Sequence, residues 1–152
     1  MSKQCYATSS PYEEIIGYYR AVRHGQHIFV SGTTAVDPKP STGAVPQILF
    51  PGDAKQQTRV ALQECIKAVR ALGGRGPEDI VRVKMFVSRR EDCLAVGEAF
   101  REVLGKGNNA SSSSSSSSSD VVPMGAAATM LVVPLLDPEM LVEVEVDAVA
   151  VD

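Results

Sequence analysis

The most regular hydrophobic pattern in the chain lies between Asp53 and Gly74. Leu62, Ile66, Val69 and Leu72 recur at three- or four-residue steps with Cys65 beside them, while Gln63, Lys67 and Arg70 fall off that stripe. Such spacing predicts an amphipathic helix with one buried face. Asp53 is placed to cap its start, and Gln56 stands three residues on, as in a capping box. Gly73-Gly74 supplies the positive-φ position at which helices commonly end. A second helix is expected from about Asp92 to Leu104, with Cys93, Val96, Phe100 and Val103 on one face. Gly97 inside it costs about 1 kcal/mol relative to alanine, and suggests that something packs closely there.

Other segments alternate with a period of two. In "DIVRVKMFVS", Val81, Val83, Met85 and Val87 point one way, and Arg82, Lys84, Phe86 and Ser88 the other. "MLVEVEVDAVAV" sets Val142, Val144, Val146 and Ala148 against Glu143, Glu145 and Asp147. "ATMLVV" is a short apolar run, and Pro134 and Asp137-Pro138 mark a turn after it. Near the start, "YRAVRHGQHIFVSG" reads as a hairpin: a strand over Tyr19 to Arg23, a turn at His24-Gly25-Gln26, then Ile28, Phe29 and Val30. "DPKPSTGAVP" is a loop. The order is strand, strand, helix, strand, helix, strand, strand. Two helices on one face of a mixed sheet make an α+β sandwich. The uncovered face is expected to be apolar and to mark assembly.

Nine consecutive serines, Ser111 to Ser119, interrupt this order. Beyond them lie only two strands, too few to stand alone. They must complete the sheet begun earlier. The expectation is therefore one domain over residues 1–152, with residues 108–120 a disordered serine-rich loop insertion.

Composition narrows the function. A net charge of −3, 5% aromatics and no tryptophan leave no electrostatic or stacking footprint for nucleic acid. Cys5, Cys65 and Cys93 make no CxxC pair and no zinc spacing, which points to a reducing, cytoplasmic setting. The N-terminal stretch is polar and reads as no secretory signal, and no apolar run is long enough to span a membrane. His24 and His27, placed on opposite faces of a strand, give poor metal geometry. No phosphate loop and no Ser-His-Asp order stands out, so neither metal nor cofactor is expected. Cys65 and Cys93 read as core.

"GYYRAVRHGQHIFVSGTTAVDP", the Asp53–Gly74 helix, "DIVRVKMFVSRREDCLAVGEAF" and "DPEMLVEVEVDAVA" together resemble the YjgF/RidA family, in older naming the L-PSP endoribonuclease family. The likeness covers nearly all of residues 11–151. It implies a chorismate-mutase-like fold and a homotrimer with clefts at the subunit interfaces. It also implies hydrolysis of reactive enamines and imines to 2-oxo acids and ammonia, without a cofactor.

Iminium hydrolysis needs a held substrate, one placed water and a proton path. The resemblance assigns Tyr18 to the active-site tyrosine and Glu143 to the carboxylate that orients the water. Ser31 and Gly32 match a ligand-binding Ser-Gly pair. Ala128 stands where active members carry the arginine that clamps a substrate carboxylate, Met130 where they carry a cysteine, and Gly97 where they carry an asparagine. Arg20 and Arg101 read as solvated surface arginines. A small-molecule ligand is expected, a carboxylate among the candidates, with little activity on 2-iminobutyrate. A non-catalytic, metabolite-binding trimer is the competing reading. Ribonuclease action is disfavoured by the acidic balance and the lack of paired histidines.

Overall fold

The computed structural model describes residues 2–37, 46–108 and 122–151. The elements in chain order are β1 (Lys3–Tyr6), α1 (Pro11–Ile16), β2 (Ala21–His24), β3 (His27–Thr33), α2 (Ala54–Ala71), β4 (Ile80–Val87), α3 (Cys93–Leu104), β5 (Ala127–Val132) and β6 (Val142–Val149). The strands form one mixed six-stranded sheet in the order β1-β2-β3-β6-β4-β5. Only β4 and β5 run parallel; the other neighbours are antiparallel. This is the expected α+β layering, with α2 and α3 packed together and α2 lying over β3 and β6.

The core sits between the helices and one face of the sheet. Leu62, Cys65, Ile66 and Val69 of α2 meet Ile28, Val30, Val83, Met85, Val142, Val144 and Val146. Val96 of α3 joins them, with Cys93, Phe100 and Val103 packed partly buried at the margin. Burial pushes the Cys65 thiol up to about 12, so it stays a neutral core side chain.

The predicted ends of α2 form as physical chemistry requires, with one difference. Asp53 accepts from the Gln56 N–H at 3.0 Å, but Gln56 turns its side chain to Arg59 and leaves the box half made. At the other end Gly73 takes φ +87°. Its N–H reaches the Arg70 carbonyl and that of Gly74 reaches Val69, a Schellman closure.

Several expectations need correction. The sheet gains β1 and a short helix, α1, from an N-terminal stretch with no readable period. The phase of β4 breaks at its start. Ile80 faces Ala148 while Arg82 faces Asp147, so Val81 is the extra residue of a bulge and is exposed rather than in line with Val83. His24 and His27 are not on opposite faces of one strand. They are cross-strand partners flanking the turn, and His27 stacks on Phe29. No group of metal-ligating side chains occurs among the described residues.

The uncovered sheet face is not the apolar surface expected. Its middle carries cross-strand ion pairs, Lys84–Glu145 at 2.8 Å and Arg82–Asp147 at 3.8 Å, with Phe29 and Leu131 half exposed beside them. The serine run lies outside the described residues. Asn108, placed at the start of the insertion, belongs instead to the end of α3. Its amide caps the carbonyls of Arg101 and Glu102 at 2.9 and 3.0 Å. No described helix is long and apolar enough to cross a membrane.

Gly97 is not explained by packing within the chain. A Cβ there would meet only the Met130 Cε, at an ordinary 4.0 Å. Gly97→Ala should therefore stabilise the fold by roughly 0.5–1 kcal/mol, the helix-propensity difference. Thermal denaturation checks this; a fall in Tm would show that another molecule packs against that face.

Candidate functional site

The site begins with an irregularity in β3. Val30 pairs with Val146 and Thr33 with Val144, so three steps on β3 match two on β6. The extra residue falls at Ser31-Gly32. Bulges of this kind re-aim side chains and gather next to sites. Here the bulge brings the Gly32 backbone against Glu143 of β6. A Cβ on Gly32 would stand 2.0 Å from the Glu143 Oε1. Only glycine leaves that carboxylate its place.

A cleft of about 110 Å³ opens beside this contact, enough for a few waters or a small organic molecule. Tyr18, Gly32 and Glu143 all line it, with Thr33, Tyr12 and Arg20. Glu143 enters from β6, Gly32 from the bulge, and Tyr18 from the link between α1 and β2. Leu136 and Met140, from the segment before β6, close another side. That segment is held by a residue the sequence pattern did not flag. Gln57, fully buried in α2, donates to the Phe50 and Glu139 carbonyls at 3.2 and 3.0 Å and accepts from the Leu141 N–H at 2.9 Å.

Beneath the cleft lies a second unforeseen element. Arg20 is buried, 8% exposed, and is not a solvated surface arginine. One terminal nitrogen donates to the Gly32 carbonyl and the Thr33 hydroxyl, each at 2.9 Å; the other pairs with Glu13 at 3.2 Å. The Thr8 N–H and hydroxyl also bond Glu13. The guanidinium lies 5.7 Å from the centre of the Tyr18 ring. Helix α1 thus turns Glu13 inward and leaves Ile15 and Ile16 exposed beside Glu14, against the usual order of an amphipathic helix.

Burial raises the pKa of Glu143 above the ordinary carboxylate value; nearby Arg20 pulls the other way and Glu145 adds to the rise. No ion pair engages Glu143 among the described residues. The result is a carboxylate with an enhanced appetite for a proton, facing a small cleft. That suits a base working on one water.

The other named positions lie elsewhere. Ser31 directs its hydroxyl to the Tyr19 carbonyl at 2.8 Å and does not line the cleft. Ala128 sits on β5, with β4 between it and the strand of Glu143, and does not line the cleft of its own chain either. Arg101 lies on a separate shallow groove with Glu78, Phe100 and Lys106.

Comparison with known proteins places the fold and the family. An uncharacterised protein of Streptomyces coelicolor is 32% identical over 142 residues, 93% of this chain and 87% of that one. A RutC family protein of Pyrococcus horikoshii is 29% identical over 71% of this chain and 80% of its own. A YjgF-family structure from Mycobacterium tuberculosis superposes with a TM-score of 0.69 at 27% identity, covering 98% of this chain and 100% of that one. The fold is shared by RidA of an Antarctic Psychrobacter, TM-score 0.69 at 19% identity over 96% of this chain and 98% of that one. Residues 8–150 match the family described as Endoribonuclease L-PSP, and the chain belongs to that family, also known as YjgF/RidA.

Proposed function

We propose that this cleft hydrolyses a small, reactive imine or enamine, and that it works within a homotrimer. The observation that supports this best is the meeting of Tyr18, Gly32 and Glu143 around one cleft from three separate segments. In the reaction, Glu143 takes a proton from water as the oxygen bonds to the carbon of the protonated C=N group and the π electrons move to nitrogen. The proton passes on to that nitrogen, which becomes an ammonium. The C–N bond then breaks with its electron pair as the hydroxyl on the same carbon gives its proton back to Glu143, releasing ammonia and leaving a carbonyl. Tyr18 offers a hydroxyl to water or substrate. Assembly is supported by the rim of the cleft, where Leu136 and Ile16 stand 82% and 64% exposed. Such side chains at the mouth of a site are suited to a second copy.

Ribonuclease action fits poorly, because acids outnumber bases among the charged residues that line the described cleft, and the lining holds no histidine. A non-catalytic metabolite-binding trimer is favoured by one feature, the alanine at position 128 where the family clamp stands.

Semicarbazide competition on a panel of imines, with and without a carboxylate, tests the reading. Wild type should accelerate at least one imine, and Glu143→Gln should lose about 10²-fold or more. The raised pKa of Glu143 gives the sign of the pH effect. Activity needs the ionised carboxylate, so the acid-side fall should occur at higher pH than for an ordinary glutamate. A rate untouched by Glu143→Gln would remove Glu143 from the chemistry. No acceleration of any imine would favour the binding protein, and a monomer mass by light scattering would remove the trimer.

A further inference from the structure

We infer that the ligand of this cleft carries a positively charged nitrogen and lacks a carboxylate. The inference rests on the reading that this cleft is the working site, and it names the chemical class admitted there.

The charged side chains lining the cleft among the described residues are Asp37, Glu64, Glu143 and Arg20. Three are acids and one is a base. The base is already committed. Both hydrogens of one Arg20 terminal nitrogen are taken by the Gly32 carbonyl and the Thr33 hydroxyl, and the other nitrogen faces Glu13. Glu13 neutralises Arg20 from below without itself lining the cleft. Glu64 is met at 2.6 Å by Lys67, which also stays outside the lining. An arriving carboxylate would face Glu143, and the one cation that lines the cleft among the described residues is already paired. Like charges a few ångströms apart in a half-buried site repel, and such repulsion excludes ligands as firmly as contacts select them.

A cation meets the opposite field. Glu143 makes no ion pair among the described residues and would gain one. Tyr12 and Tyr18 line the same cleft, and aromatic rings attract ammonium-type groups; Ser10 and Thr34 add uncharged polar side chains. A protonated imine has both the charge and the donors, and it is also the form whose carbon accepts water most readily. The site therefore selects the reactive protonation state by binding it. The raised proton affinity of Glu143 supports this, since a neighbouring cation would restore its ionised form.

Three shape-matched probes test the inference by calorimetry at neutral pH: cyclopentylammonium, cyclopentanol and cyclopentanecarboxylate. The ammonium should bind about tenfold or more tighter than the carboxylate, with the alcohol between. Glu143→Gln should bring the three near parity while leaving the Tm close to wild type. Equal or tighter binding of the carboxylate would overturn the inference, as would binding of none. The imine panel separates this from the catalytic reading. Selective ammonium binding without hydrolysis upholds the charge preference and sinks the chemistry. Efficient hydrolysis of carboxylate-bearing imines with no ammonium preference does the reverse.

Discussion

Replacing Glu13 with alanine is expected to lower the stability of the protein by about 3–5 kcal/mol, the usual cost of stranding one member of a buried ion pair. Arg20 would keep its charge with 8% of its surface exposed, and the Thr8 N–H would lose its acceptor. For a chain of this length each kcal/mol moves Tm by roughly 2–4 °C, so the drop should be about 6–20 °C. Differential scanning calorimetry reads it directly. Glu13→Gln keeps one acceptor oxygen and the side-chain shape, and should fall less. A Glu13→Ala, Arg20→Met double substitution removes both charges and should recover much of the loss. A shift under about 2 °C for Glu13→Ala would mean that water from the cleft already solvates the guanidinium.

The second large effect concerns Gly32→Ala. Its Cβ would lie 2.0 Å from the Glu143 Oε1 and 3.0 Å from its Cδ. The side chain must leave, because the Gly32 backbone is held on its other side by Arg20. Misplacing a catalytic group by an ångström costs about 10²-fold in rate. The expected result is therefore a kcat/KM lowered by two orders of magnitude or more, with cyclopentylammonium affinity falling in parallel. Stability should change little, since the atom that moves is the free end of a side chain. A Tm that falls while the folded protein keeps its kcat/KM would show that Gly32 serves the bulge and not the carboxylate.

The strong periodic segments were legible from residues alone. Leu62 to Leu72 and Val142 to Ala148 bury the faces their spacing dictates, because a helix stripe and a strand alternation each leave only one way to pack. The bulges at Val81 and at Ser31-Gly32 were not legible. Each depends on the partner strand's register, which no window of one strand contains. The Glu13–Arg20 pair escaped for a related reason. A charged residue in a polar stretch signals solvent, and only the meeting of Glu13 and Arg20 with Gly32 and Thr33 of β3 takes the pair out of water. Tyr18, Gly32 and Glu143 came from family resemblance. Their distance along the chain hides them from any local reading, and the fold alone places them around one cleft.

The position of β6 constrains how the protein can fold. It follows every other strand in chain order, yet it lies in the middle of the sheet and joins β3 on one side to β4 on the other. A growing chain can close the β1-β2-β3 meander early, because those pairings are local. The β4-β5 pair cannot be attached to it until Val142–Val149 has been made and threaded between them. Until then α2 has no continuous sheet beneath it, and the edges of β3 and β4 both stay open to other strands. Such late, long-range closure slows folding and lengthens the time during which nascent chains can aggregate. A chain cut just before Val142 would hold two separate sheet fragments with the core valines unopposed, and it should accumulate as insoluble material.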